Sequence, residues 1–138
     1  MPKYGSKSAA TLASVHPDLQ KIFNEAIKYV DITVMEGERS KERQEELVRT
    51  GKSKTMNSKH LKQPDGQCHA VDAALYPIDW SDRDRFVYLG GFIQALAASM
   101  LARGEISHKI RWGGDWDSDQ NMKEHSFFDG PHFELKKP

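Results

Sequence analysis

Cys68-His69-Ala70-Val71-Asp72-Ala73-Ala74-Leu75 is an apolar run with a single carboxylate near its centre. Its composition reads as a β-strand. Side chains alternate across a strand, so Cys68, Ala70, Asp72 and Ala74 fall on one face, and His69, Val71 and Ala73 on the other. A carboxylate set among alanines and valine is costly unless a cation or hydrogen bonds compensate it. Asp72 and His69 lie on opposite faces, so only one of them can enter a shared pocket. Asp72 is the expected ligand, the alternative being a carboxylate that caps backbone or pairs with an arginine. His69 is expected to be partly exposed or to play a supporting part. Cys68 shares the face of Asp72 and is expected to be a small buried filler; as a fourth ligand it would close a metal site.

The neighbouring segments supply the rest of the fold. Ser6 to Val15 has loose helical spacing. Pro17 suits a first helical turn, and Leu19, Ile22, Phe23, Ala26, Ile27 and Val30 give one apolar helical face over 17–30. Asp31 to Glu36 alternates β-branched residues and reads as a strand. Ser40 is a helix cap, and Gly51 a helix stop. The polar stretch from Lys52 to Gln67 is a long loop, of the kind that is often functional. Ser81 is expected to cap a long helix reaching Arg103, with Phe86, Leu89, Ile93, Leu96 and Met100 inward. Gly90 and Gly91 within it each cost about 1 kcal/mol relative to alanine, which suggests close packing. Lys109 to Trp112 and His132 to Leu135 complete the strands. The expected class is α+β, a small, mainly antiparallel sheet with helices on one side.

The 138 residues fit one domain, 1–138, and the formal net charge is zero. That balance gives no electrostatic case for a nucleic acid or membrane partner. The basic run Lys52, Lys54, Lys59 and Lys62 reads as a solvated loop. One cysteine precludes an internal disulfide. The first fifteen residues lack a signal-peptide apolar core, and no stretch approaches the roughly 20 apolar residues of a membrane span. A cytoplasmic location is expected, with no membrane insertion and a monomeric state.

A second segment, Asp129-Gly130-Pro131-His132-Phe133-Glu134, adds a histidine and two acids. With His60 in the loop and Asp72 on its strand, the inventory is that of a catalytic zinc site with one open position. Taken singly, each histidine would more often be structural than a ligand. Asp129 precedes His132 across a Gly-Pro turn that can set its carboxylate beside a metal, where it could act as general base. Glu134, two residues along the strand from His132, is the competing acid. Asp115, Asp117, Asp119 and Asn121 alternate oxygen ligands as a Ca2+ loop would, without the usual glycine and terminal glutamate; a solvated acidic turn is the alternative. Trp112 and Trp116 could line a substrate groove or pack the core.

The combination of Ser58-x-His60, Ala70-Val71-Asp72 and Asp129-Gly130-Pro131-His132-Phe133-Glu134 resembles the zinc D-alanyl-D-alanine metallopeptidases. That group includes vancomycin-resistance-type carboxypeptidases and dipeptidases, and phage endolysins that act as L-alanyl-D-glutamate endopeptidases. Glu36-Gly37-Glu38-Arg39-Ser40 with Glu42-Arg43-Gln44 matches the family's glycine-x-arginine-serine segment. Arg111-Trp112-Gly113-Gly114-Asp115-Trp116 matches its tryptophan-rich segment. The resemblance covers residues 8–135 and implies a fold like that of hedgehog signalling domains and D-Ala-D-Ala peptidases. It implies Zn2+ held by His60, Asp72 and His132, with Asp129 as base. Arg39 would polarise the scissile carbonyl or hold a substrate carboxylate, and Gln44, Ser58, Trp112 and Trp116 would flank the substrate. The implied substrate is bacterial peptidoglycan, cut at an L-Ala–D-Glu bond after a phage membrane pore releases the enzyme to the wall. One departure is the spacing. His60 and Asp72 are twelve residues apart, where many members have seven, and the additional residues fall in the Pro/Gly segment 61–67. Competing readings are a D-Ala-D-Ala carboxypeptidase of the same family, a non-catalytic hedgehog-like zinc module, and a metal-dependent nuclease.

Overall fold

A computed structural model describes residues 2–116, 118, 120 and 128–138. In chain order the elements are α1 (Ser6–Leu12), α2 (Pro17–Ala26), β1 (Ile32–Glu36), α3 (Lys41–Arg49), β2 (Ala70–Leu75), α4 (Arg83–Ala102), β3 (Lys109–Trp112) and β4 (His132–Lys136). The four strands form one antiparallel sheet in the order β1-β2-β4-β3. This is the α+β architecture expected from the sequence.

The pleat sorts the side chains. Ile32, Val34, Val71, Ala73, Ile110, Trp112, Phe133 and Leu135 join α2 and α4 in one buried cluster. α2 contributes Leu19, Ile22 and Phe23, each fully buried. Phe23 meets Phe133 edge to face at 5.6 Å. The opposite face carries Asp72, His132 and Glu134. Asp72 pairs directly with His132 on β4 and with Glu36 on β1, next to a bulge between Val34 and Glu36. One row across three strands therefore reads Glu36, Asp72, His132, at ladder spacing.

Several local expectations need correction. Ser81 does not cap α4. Its hydroxyl and backbone N–H both turn back to Asp79, and the helix starts at Arg83 behind Asp82. The serine is consumed by a competing local turn, as short polar side chains often are. α2 ends at Ala26, and residues 27–30 continue only as turns. α4 is, by length and composition, apolar enough to cross a bilayer, contrary to the expectation that no stretch would be. Here Phe86, Leu89, Ile93, Ala97 and Met100 are buried in the core instead.

The two adjacent glycines of α4 differ. A Cβ on Gly90 would lie 2.3 Å from Cε2 of Trp112, whereas one on Gly91 would meet nothing within 4 Å. Gly90 is thus where the indole presses against the helix, and Gly91 faces outward.

Candidate metal centre

Three elements deliver one donor group each. β2 presents Asp72, β4 presents His132, and the long loop delivers His60. The loop is anchored there by its backbone: Arg39 N–H donates to the His60 carbonyl at 2.8 Å, and His69 N–H to that of Lys59 at 2.9 Å. The additional residues between His60 and Asp72 close on themselves. Lys62 bridges to Cys68, and Gln63 N–H donates to the Gln67 carbonyl at 2.9 Å. The chain therefore leaves and re-enters at one place, and the detour does not carry His60 away from Asp72.

The hydrogen bonds fix both histidine tautomers. His60 Nδ1 lies 2.8 Å from the Gly37 carbonyl, to which it can only donate. Its Nε2 is left with a lone pair, 3.2 Å from Asp72 Oδ1. His132 Nε2 donates to Glu134 Oε1 at 2.8 Å, which leaves the Nδ1 lone pair 3.3 Å from the same Asp72 oxygen. With both rings neutral, two imidazole lone pairs and a carboxylate would face one another with no hydrogen between them, an arrangement that needs a cation. In the bare protein protons take that part. Burial pulls His60 and His132 down, but the Asp72 carboxylate outweighs it and lifts both to about 9. Burial alone would raise Asp72, but His132 and His60 hold it well below the usual carboxylate range. The group His60, Asp72, His132 can hold a metal ion, and two nitrogens with one carboxylate oxygen suit zinc.

Asp129 is placed by backbone. Its N–H donates to the Gly113 carbonyl at 2.9 Å, and the His132 N–H donates to the Asp129 carbonyl at 3.1 Å. A Cβ on Gly113 would stand 2.1 Å from that carbonyl oxygen, so only glycine fits beneath the turn. Burial raises the Asp129 carboxyl, and Asp72 adds to this against the opposing pull of His132, His60 and Arg39. Glu134, the competing acid, is committed to His132 and largely buried.

Arg39 is largely buried, with Nε donating to Glu36 Oε1 at 2.6 Å and Nη1 to Gln44 Oε1 at 2.7 Å. Gln44 is fully buried and also donates to Ser53 and to the Thr55 carbonyl. It acts on Arg39 and the loop. Ser58 Oγ accepts the His60 N–H at 3.1 Å and sets that ring's approach. Trp116 lies beside the centre, its ring 5.5 Å from that of His132. Trp112 is only 2% exposed. Its Nε1 donates to the Gly130 carbonyl at 2.7 Å, so it packs the core and braces the Asp129 turn. Of the calcium candidates, Asp115 is buried and accepts the Gln120 N–H. Asp117, Asp119 and Asn121 lie outside the described residues. Cys68 is buried filler, with Sγ near the Ala70 carbonyl.

A second cluster was not anticipated. His16, His69 and His108 meet edge to face, with ring centres 5.0–5.6 Å apart, alongside Asp18 and Asp65. Its tautomers differ from those of the first. His16 Nδ1 accepts the Asp18 N–H at 2.9 Å and caps α2, so the proton sits on Nε2. His69 and His108 each have a carboxylate oxygen within 2.8 Å. His16, Asp18 and His108, and likewise His16, Asp65 and His69, also lie close enough together to hold an ion. No sequence spacing signals it, because its members come from three separate parts of the chain.

The fold and site define a class: a small α+β domain with two histidines and one carboxylate able to hold a metal ion, on the sheet face opposite its core cluster. The chain belongs to the phage L-alanyl-D-glutamate peptidase family, whose pattern it matches over residues 1–136. It is 30% identical over 145 aligned positions to the L-alanyl-D-glutamate peptidase of Escherichia phage T5, covering 96% of this chain and 97% of that protein. It also matches the crystal structure of the Serratia marcescens L-Ala D-Glu endopeptidase ChiX. There the TM-score is 0.68 and the identity 31%, over 97% of this chain and 90% of the other.

Proposed function

We propose that this chain is a zinc-dependent endopeptidase that hydrolyses the L-Ala–D-Glu amide of peptidoglycan stem peptides, with Asp129 as its general base. The observation that carries the reading is the convergence of the His60 and His132 lone pairs on Asp72, with the Asp129 carboxyl beside them. Family membership supports the bond chosen.

His60, Asp72 and His132 would hold the ion. When bound, zinc supplies Lewis acidity, polarising the scissile carbonyl and making water more acidic. Asp129 takes a proton from the attacking water and passes it to the departing D-Glu nitrogen. Its half-buried position, which raises its pKa, suits a group that must both accept and return a proton. Arg39, already oriented by Glu36 and Gln44, offers its remaining N–H groups to a carbonyl or carboxylate of the substrate. Glu134 and the Gly37 carbonyl keep the two imidazoles in the ligating tautomer. As a phage enzyme of this kind, the protein would stay in the host cytoplasm as a monomer until a membrane pore admits it to the wall.

The test is to digest purified peptidoglycan and identify the fragments by mass. New L-Ala carboxyl and D-Glu amino ends, lost with chelator and restored by Zn2+, are expected. Release of terminal D-Ala instead would replace the reading with a carboxypeptidase.

A further inference from the structure

Beside the Asp129 turn lies a groove of about 360 Å³ lined by Trp80, Arg83, Phe86, Phe128, Asp129 and Pro131. It belongs to none of the ligating or proton-transfer groups apart from sharing Asp129. Trp80 stands just before α4 and is 65% exposed, the most exposed large apolar residue among the described residues. It is not loose: the ring stacks on Phe86 at 5.5 Å and 24°. The Arg83 guanidinium sits 3.9 Å over the Phe128 ring centre. The floor depends on Gly130, where a Cβ would come within 2.8 Å of both Phe86 and Phe128. Trp80, Phe86 and Phe128 line this one groove together, so the exposed indole belongs to an aromatic surface and is not an isolated residue.

We propose that this groove is the subsite for the saccharide to which the stem peptide is attached, with Trp80 as its platform and Arg83 as its polar contact. The inference rests on the peptidase reading above, because the groove gains its meaning from continuity with Asp129. The scissile amide has two unlike sides. Beyond D-Glu the stem peptide carries carboxylates. Before L-Ala it carries the lactyl ether and pyranose rings of the glycan, which are uncharged, with flat C–H faces and acetamido and hydroxyl oxygens. The protein has two unlike wings to match. Arg39, on the β1 side of the centre, is a buried cation suited to carboxylate. The wing past Asp129 presents a flat exposed indole, which suits a pyranose face. Arg83 is already stacked, and its N–H edge is suited to acetamido and hydroxyl oxygens. The wing assignment orients the substrate: glycan over Trp80, D-Glu and its successors toward Arg39.

The experiment uses the zinc-loaded full chain and two substrates with the same stem peptide. One is linked to the N-acetylglucosamine–N-acetylmuramic acid disaccharide, and the other carries only an acetyl group on L-Ala. The expected results are that Trp80→Ala raises KM and lowers kcat/KM about tenfold on the glycan-linked substrate, that its rate on the acetyl peptide stays within twofold, and that Trp80→Phe recovers most of the loss. Equal loss on both substrates, or loss on neither, overturns the proposal. A loss that instead follows amidation of the peptide carboxylates would reverse the orientation and overturn it too. A second readout is independent of catalysis. The free disaccharide is titrated into metal-free protein while the Trp80 indole N–H resonance is followed. A saturable shift supports the subsite, and an unmoved resonance overturns it. If wild-type protein cleaves neither substrate, the peptidase reading fails, and this titration still decides the subsite.

Discussion

Gly90→Ala and Gly91→Ala make the same chemical change at adjacent positions of α4, and the structure gives them opposite outcomes. In a helix interior, alanine in place of glycine gains about 0.5–1 kcal/mol. Gly91 is exposed and its added Cβ would meet nothing within 4 Å, so it should realise that gain. At about 2.1 cal/mol/K of unfolding entropy per residue, this is a rise in Tm of roughly 2–4 °C. At Gly90 the Cβ would lie 2.3–2.6 Å from three indole atoms of Trp112, which must retreat by about an ångström or more to reach ordinary contact. The indole has little room to do so. Its benzo ring also lies against Gly114, and its Nε1 is bonded to the Gly130 carbonyl. Overpacking of this kind costs about 1–3 kcal/mol, and loss of the bond to Gly130 adds about 1 kcal/mol. Less the helix gain, Gly90→Ala should destabilise by about 1–3 kcal/mol, a fall in Tm of roughly 3–10 °C. It should also slow wall hydrolysis at temperatures where the variant is fully folded, because Trp112 braces the turn that carries Asp129. Thermal melts of both variants, with hydrolysis assayed well below either midpoint, read this directly. If Gly90→Ala stabilises the protein as much as Gly91→Ala, the indole does not press on the helix, and the bracing argument is wrong.

Three further outcomes are expected. Asp129→Ala should reduce wall hydrolysis by about 10²–10⁴-fold while bound zinc, measured by elemental analysis, stays at the wild-type ratio; loss of zinc would make Asp129 a ligand. Glu134→Gln should weaken zinc binding about 10–100-fold, read by competition with a chromogenic chelator; unchanged affinity would deny Glu134 any hold on His132. His16 is lowered by burial, with His108 and His69 adding to this against the pull of Asp18 and Asp65. Its folded pKa lies below the unfolded one, so its contribution to stability is present above the unfolded pKa of about 6.5 and is lost as pH falls below that. His16→Asn keeps a capping acceptor and removes the titration. The variant's denaturant midpoint should vary less between pH 7 and 5 than that of wild type, and an equal slope would refute the capping role.

Legibility in the sequence followed locality. Strand parity at 68–75 separated Asp72 from His69, because alternation is a property of the backbone alone. β3 was legible over 109–112 for the same reason. The failures arise where a side chain chose between local partners, or where distant segments meet. Ser81 carries a helix-cap signal, but Asp79 lies two residues away and takes its hydroxyl. Gln44 looks like a polar residue on an exposed helix, yet it is fully buried, because Arg39 and residues 53–55 close over it. Alternation puts Trp112 on the face of Ile110, but its pocket, made by Gly90 and the turn at Gly130, carried no local clue. The trio His16, His69 and His108 is invisible in sequence, its members being brought together only when the His16 N–H bonds to the Cys68 carbonyl and Asp18 bonds to Ser107 and His108.

The row Glu36, Asp72, His132 has a kinetic consequence. Asp72 and His132, two of the three candidate ligands, are spaced by the hydrogen-bond ladder between β2 and β4, and they move only if that ladder opens. Opening a core ladder costs close to the full free energy of unfolding. His60 is different. It stands on a loop and is held by a few backbone contacts and the Gly37 carbonyl. For an ion held by these three side chains, exchange would have one soft step, release of His60, while Asp72 and His132 would remain as a standing half-site to which the ion could rebind before the loop returns.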